Sequence, residues 1–134
     1  MASKTTSTQM TPQATEGQLV HIEFVTQDPK VLRTFLEKNF GWKFETKKMG
    51  EGGDYHMFTT PGGSVGGVTA PPMPGAPIAT TPYIFVKDVK ATAKKVEKAG
   101  ATIVMPPTPI PNMGSFFLFQ VKGSPVLGCW QGPQ

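Results

Sequence analysis

Tyr55-His56-Met57-Phe58-Thr59-Thr60-Pro61-Gly62-Gly63-Ser64-Val65-Gly66-Gly67 lies without a gap over Phe116-Phe117-Leu118-Phe119-Gln120-Val121-Lys122-Gly123-Ser124-Pro125-Val126-Leu127-Gly128. Phe58/Phe119, Gly62/Gly123, Val65/Val126 and Gly67/Gly128 are identical pairs, and each run reads as strand, turn, strand. The elements upstream recur in the same order. Leu19 to Val25 alternates: Val20, Ile22 and Phe24 share one face, and His21, Glu23 and Val25 the other. That is a strand with one oily face. Asp28-Pro29 then opens a helix. Aspartate accepts from the free amides of a first turn, and proline is preorganised at the first helical position. Val31, Leu32, Phe35, Leu36 and Phe40 form its apolar face, and Gly41 ends it. Trp42 to Thr46 is a strand, and Lys47 to Asp54 a glycine-rich turn. In the second copy Tyr83 to Val86 is a strand, and Asp88 caps a helix with Val89, Ala93, Val96 and Ala99 inward. Gly100 stops that helix, and Ala101 to Met105 is a strand. Matched residues together with a matched order of elements mark an internal duplication.

The duplication sets the architecture. Each unit is a helix covering one face of a small sheet. Side by side, two units make an α+β domain: a curved mixed sheet around a cleft, with the helices outside. This single domain is expected over residues 18–132, with module one at about 18–70 and module two at about 83–131. The joining segment, residues 71–82, is rich in Pro, Ala, Gly and Thr and reads as a linker without regular structure. Pro106 to Gly114 reads as a proline-rich loop. Both stiff segments either line a pocket or simply connect. Residues 1–17 are rich in Ser, Thr and Gln with little to bury, and read as a disordered tail.

Composition narrows the class. A chain of 134 residues suits one domain with a proper core. No apolar run approaches the length needed to span a membrane. The tail lacks the features of a secretory or transit segment, so a cytoplasmic protein is expected. Cys129 is the only cysteine, which rules out an internal disulfide and a cysteine zinc cluster. It sits among apolar neighbours, as an inert buried thiol does. The net charge is +4, but the lysines are scattered and no basic stripe interleaves with aromatics. Nucleic acid is not an expected partner.

Strand alternation points to the cleft lining. His21 and Glu23 lie opposite the oily face of the first strand. Tyr83 and Phe85 come from the matching strand of module two, Gly67 from the first hairpin, and Gly128 and Trp130 from the second. Glu23 can orient His21 as a general acid or base. Tyr83 can donate to a developing oxyanion. Gly67 and Gly128 remove side chains from the inner face, which makes room for a ligand beside the aromatic Tyr83, Phe85 and Trp130. The run Gly62 to Gly67 is not a phosphate loop, because no helix and no Gly-Lys-Ser/Thr follows.

The run His21-Ile22-Glu23-Phe24, Phe35-Leu36 and Phe40-Gly41-Trp42-Lys43-Phe44 resembles the start of the vicinal oxygen chelate superfamily. That superfamily holds glyoxalase I, bleomycin-resistance proteins and extradiol dioxygenases. The run from Gly100-Ala101 through Met105-Pro106-Pro107, Ile110-Pro111, Gly114, Gly123-Ser124-Pro125 and Gly128-Cys129-Trp130-Gln131 is similar to a subgroup described as predicted enzymes related to lactoylglutathione lyase. The resemblance covers about Gln18 to Gln131. It implies paired βαβββ modules, a small-molecule ligand and a homodimer. It also implies ligand positions for one divalent metal at His21, about Gly67, Tyr83 and about Gly128. Only His21 carries a usual ligand there. A catalytic metal wants about three protein ligands, so no cofactor is expected and glyoxalase I activity is disfavoured. A relocated divalent site from His21, Glu23 and His56 is the alternative.

Four readings follow. The first is an enzyme acting on a small organic molecule through His21, Glu23 and Tyr83. The second is a binding or sequestration module of the bleomycin-resistance type. The third is a metal-dependent lyase or dioxygenase-like enzyme with the relocated site. The fourth is a structural or regulatory module with a vestigial cleft.

Overall fold

The computed structural model describes residues 14–49, 53–71 and 75–133. Most of the expected disordered tail, three residues of the glycine-rich turn and three of the linker lie outside the described residues. Ten elements follow: β1 Leu19–Val25, α1 Pro29–Phe40, β2 Lys43–Lys48, β3 Asp54–Thr59, β4 Val65–Thr69, β5 Ala79–Phe85, α2 Val89–Lys98, β6 Thr102–Ile110, β7 Gly114–Gln120 and β8 Val126–Gln131.

Both helices start as their sequences dictate. The Asp28 carboxylate accepts from the Val31 amide at 3.2 Å, and that of Asp88 from the Ala91 amide at 3.0 Å. Gly41 closes α1 with φ 72°, a left-handed position that glycine fills without a Cβ penalty.

The eight strands form one sheet in the order β2-β3-β4-β1-β5-β8-β7-β6. The halves meet where β1 and β5 run antiparallel, with Ile22 opposite Pro82. Each half repeats one scheme: its first strand lies parallel to its last, β1 with β4 and β5 with β8. Glu23 pairs with Gly67 in the first half and Tyr83 with Gly128 in the second. The duplication therefore matches Glu23 with Tyr83 and His21 with Thr81. This corrects the ligand positions that the resemblance implied, which set Tyr83 against His21.

Side chains facing the helices make the core. Under α2, Val86, Val89, Ala93, Phe117, Phe119 and Cys129 pack together. Under α1, Phe58 meets Phe24, Trp42 and Phe44, with ring centroids 4.5–5.9 Å apart. Val20, Ile22 and Phe24 thus face the helix layer, and His21 and Glu23 face away from it.

Three local expectations are corrected. Residues 79–82 are not linker but the first half of β5, paired with β1. Pro82 is tolerated because β8 joins β5 only from Tyr83 onward, leaving that side of Pro82 open. The proline-rich loop is likewise strand: β6 continues to Ile110, with register shifts that absorb the prolines. It is an edge strand, where an N–H on the outer side has no ladder partner to lose. Finally, the expected apolar face of α1 is only partly covered. Leu32 and Leu36 are half-buried, while Val31, Phe35 and Phe40 are 64%, 56% and 58% exposed. The apolar stripe is wider than the strip of sheet beneath it.

Candidate functional site

Alternation along β1 and its pairing with β5 bring His21, Glu23 and Tyr83 together on the face away from the helices. His21 lies opposite Tyr83, and Glu23 opposite Thr81. A fourth residue joins them. Tyr55 on β3 stands diagonal to Gly67 across the β3–β4 pair, and its ring covers that glycine. A Cβ placed on Gly67 would collide with the Tyr55 side chain, and one on Gly128 with the Tyr83 ring. The two glycines therefore do not open space for a ligand, as the sequence suggested. They make room for two tyrosines of the same chain.

The tyrosines converge on one carboxylate. The Tyr55 hydroxyl donates to Glu23 Oε1 at 3.0 Å. The Tyr83 hydroxyl stands 3.5 Å from Glu23 Oε2, at the outer limit of a hydrogen bond. His21 Nε2 lies 2.7 Å from the Tyr55 oxygen. A phenol has one hydrogen. With that hydrogen on Glu23, His21 must be the neutral tautomer that donates through Nε2. Glu23 and His21 are thus linked through Tyr55 rather than directly, which corrects the expected Glu–His pair.

Burial sets the protonation. It lowers the His21 pKa to about 4, so this imidazole is neutral near pH 7. It is not poised near neutrality, as an acid–base histidine would be. Burial raises the Glu23 pKa above its ordinary value, and the two phenols hold the rise back by bonding the carboxylate. Burial and the Glu23 charge push both phenols well above their ordinary range.

An aromatic wall continues from the network. Tyr83 meets Phe116 edge-on at 6.4 Å between centroids, and Phe85 meets Trp130 at 6.1 Å. The Trp130 indole is fixed by donating to the Met113 carbonyl at 2.7 Å.

His56 does not join this face. Neighbours on a strand project oppositely, so while Tyr55 faces the network, His56 faces α1. There its Nδ1 stands 3.0 Å from the Arg33 guanidinium. The His21/Glu23/His56 site is therefore not assembled. Cys129 also faces the helices, 2% exposed, and burial pushes its thiol up to about 11. Cavities of about 440 and 430 Å³ both lie along α1 rather than over the network.

Residues 18–123 match the family model for the Glyoxalase/Bleomycin resistance protein/Dioxygenase superfamily. The chain belongs to this superfamily. It is 33% identical over 100 residues to "Putative glyoxylase CFP32" of Mycobacterium bovis and of Mycobacterium tuberculosis. That match covers 75% of this chain and spans only 38% of those relatives. Methylmalonyl-CoA epimerase from Mycobacterium tuberculosis superposes with a TM-score of 0.70 at 14% identity, over 92% of this chain and 94% of that one. A hypothetical protein from Bacillus halodurans C-125 gives 0.72 at 14%, over 90% and 97%. At such identities the likeness concerns the fold.

Members of this superfamily commonly use a divalent metal, and the residues here do not fit one. At Gly67 and Gly128 there is no side chain, and tyrosine rings fill the space one would need. The His21 Nε2 and both Glu23 oxygens are engaged by phenols. Among the described residues no three His, Cys, Asp or Glu side chains converge.

Sequence reasoning missed Tyr55 and Phe116 as site residues. A signal existed for Tyr55. It aligns with Phe116 in the duplication, and it lies on the same face as a bare glycine one strand away.

Proposed function

We propose that this superfamily member transfers a proton at a carbon next to a carbonyl group of a small organic molecule, using Glu23 as acid and base. The half-buried carboxylate bracketed by two phenols carries this reading. A carboxyl with a raised pKa is closer to the balance needed to take a proton and return it near neutral pH. Glu23 takes the proton from carbon. The C–H electron pair becomes the C=C bond of the enolate, and the carbonyl pair moves onto oxygen. Tyr83, held loosely at 3.5 Å, turns its hydroxyl to that oxygen. His21, through Tyr55, holds the carboxylate in place. Phe85, Trp130 and Phe116 give the substrate an apolar bed. The reading takes the protein to be cytoplasmic, which a lone buried thiol suits. It also takes the protein to be a homodimer joined through the exposed stripe of α1. Among the described residues no helix is long and apolar enough to cross a membrane.

The test is solvent exchange. The protein is incubated in D₂O with a panel of small ketones, 2-oxo acids and thioesters, and deuterium gain at the α-carbon is followed by proton NMR. Exchange with at least one compound, lost in Glu23→Gln and weakened in Tyr83→Phe, supports the reading. The aromatic wall favours a second reading, simple sequestration. A compound that binds with no exchange, and binds Glu23→Gln equally well, would establish that reading and end the first.

A further inference from the structure

The second cavity along α1, about 430 Å³, is lined by Lys30, Arg33, Thr34, Thr46, Lys48, Asp54 and His56. It lies on the other side of the sheet from the Glu23 network, and that network's chemistry does not use it. We propose that this cavity binds a phosphate dianion, either inorganic phosphate or the phosphoryl group of a small metabolite.

The lining is built rather than incidental. His56 is 4% exposed, yet it lines the cavity. Arg33 is fixed over the Phe44 ring, 5.3 Å from its centroid, and bonds Thr46 Oγ1 at 2.8 Å and His56 Nδ1 at 3.0 Å. With Nδ1 accepting from an arginine, the imidazole carries its proton on Nε2. That N–H has no partner among the described residues. A buried donor without a partner costs about 1–3 kcal/mol, a cost that an oxyanion within reach of Nε2 would remove.

Charge selects the ligand. Lys30, Arg33 and Lys48 face a single lining carboxylate, Asp54. The lining thus carries a surplus of two positive charges, one of them partly met by Glu37 at Arg33 from outside the lining, and a dianion meets that surplus more fully than a carboxylate or chloride. The carboxylates that touch these cations are weak rivals. Asp54 holds Lys48 at 3.2 Å and Glu37 holds Arg33 at 3.4 Å, both near the surface, where such pairs are worth little. An arginine fork with flanking lysines and a threonine hydroxyl is a donor set suited to phosphate oxygens. The same cations, behind burial, lower the pKa of His56, while Asp54 raises it. A bound dianion would reverse that balance and raise it.

The experiment is an NMR titration of the full chain at low ionic strength with inorganic phosphate, glycerol 3-phosphate and acetate. The expected result is saturable shifts at Lys30, Arg33, Thr46, Lys48 and His56, a rise in the His56 pKa, and no comparable response to acetate. Response to both phosphates identifies the dianion as the ligand. Response to glycerol 3-phosphate alone supports the site and shows that the cavity also reads the organic part. Lys30→Ala/Lys48→Ala removes two exposed side chains and leaves the fold standing. It should weaken binding at least tenfold with the melting temperature in phosphate-free buffer unchanged. Shifts centred elsewhere, equal binding by the double variant, or no response to either phosphate would overturn the proposal.

Discussion

Replacing Gly67 with alanine should destabilise the protein only while Tyr55 is present. Gly67 does not occupy a left-handed backbone region, so alanine carries no conformational penalty there. The nearest atoms to its new methyl group all belong to the Tyr55 ring, at separations that real contacts never show. Overpacking of this kind costs about 1–3 kcal/mol. The lower chain entropy of alanine in the unfolded state offsets roughly 0.5–1 kcal/mol of that. The net loss is about 0–2.5 kcal/mol, centred near 1, or up to roughly 10 °C in melting temperature for a domain of this size. In a Tyr55→Ala background the ring is gone and only the entropic gain remains. There Gly67→Ala should be neutral or stabilising by about 0.5 kcal/mol. Urea denaturation of the four proteins in the cycle measures both values. Equal destabilisation in the two backgrounds would refute the claim that the glycine exists to seat the tyrosine. The pair Gly128 and Tyr83 supplies the same cycle in the second module.

Three further outcomes are expected. The folded pKa of His21 lies near 4, below the 6.5 of an unfolded histidine, so only the unfolded chain takes up this proton between those values. Stability should fall as pH drops through that window, by up to roughly 3 kcal/mol from this residue, and His21→Asn should lose that part of the slope between urea titrations at pH 7 and pH 4. Cys129 should react with a thiol reagent only as fast as the protein unfolds; rapid labelling of the native protein would contradict its burial. Phe35→Lys places a charge on the exposed stripe of α1 and should shift sedimentation from dimer to monomer, whereas a wild-type protein already monomeric would remove the dimer from the account.

Much of the fold could be read from residues alone. The alternation in β1, the two aspartate caps and the repeated hairpin state local rules that the folded chain obeys. The failures came where tertiary context outweighs local preference. Pro82, Pro106, Pro107 and Pro109 read as breakers, because proline lacks an N–H, but each sits where the sheet leaves that side open or the register shifts. Of the site, His21, Glu23 and Tyr83 were legible from alternation. Their wiring was not, because Tyr55 lies 34 residues from His21 and only sheet order brings its hydroxyl between them. His56 shows the reverse error. Its chemistry suggested a ligand, but its strand parity turns it to the other face.

The central claim is that Glu23 is a half-buried carboxylate tuned by two phenols, and it can be measured without knowing the substrate. Protein labelled with ¹³C at the glutamate carboxyl is titrated by NMR, as wild type and as Tyr55→Phe. Burial should place the Glu23 midpoint above 4.5. Losing the Tyr55 hydrogen bond removes the stronger of two contacts that favour the charged form, so the midpoint should climb further in the variant. A Glu23 that titrates at or below 4.5 and does not move when Tyr55 loses its hydroxyl would contradict the account.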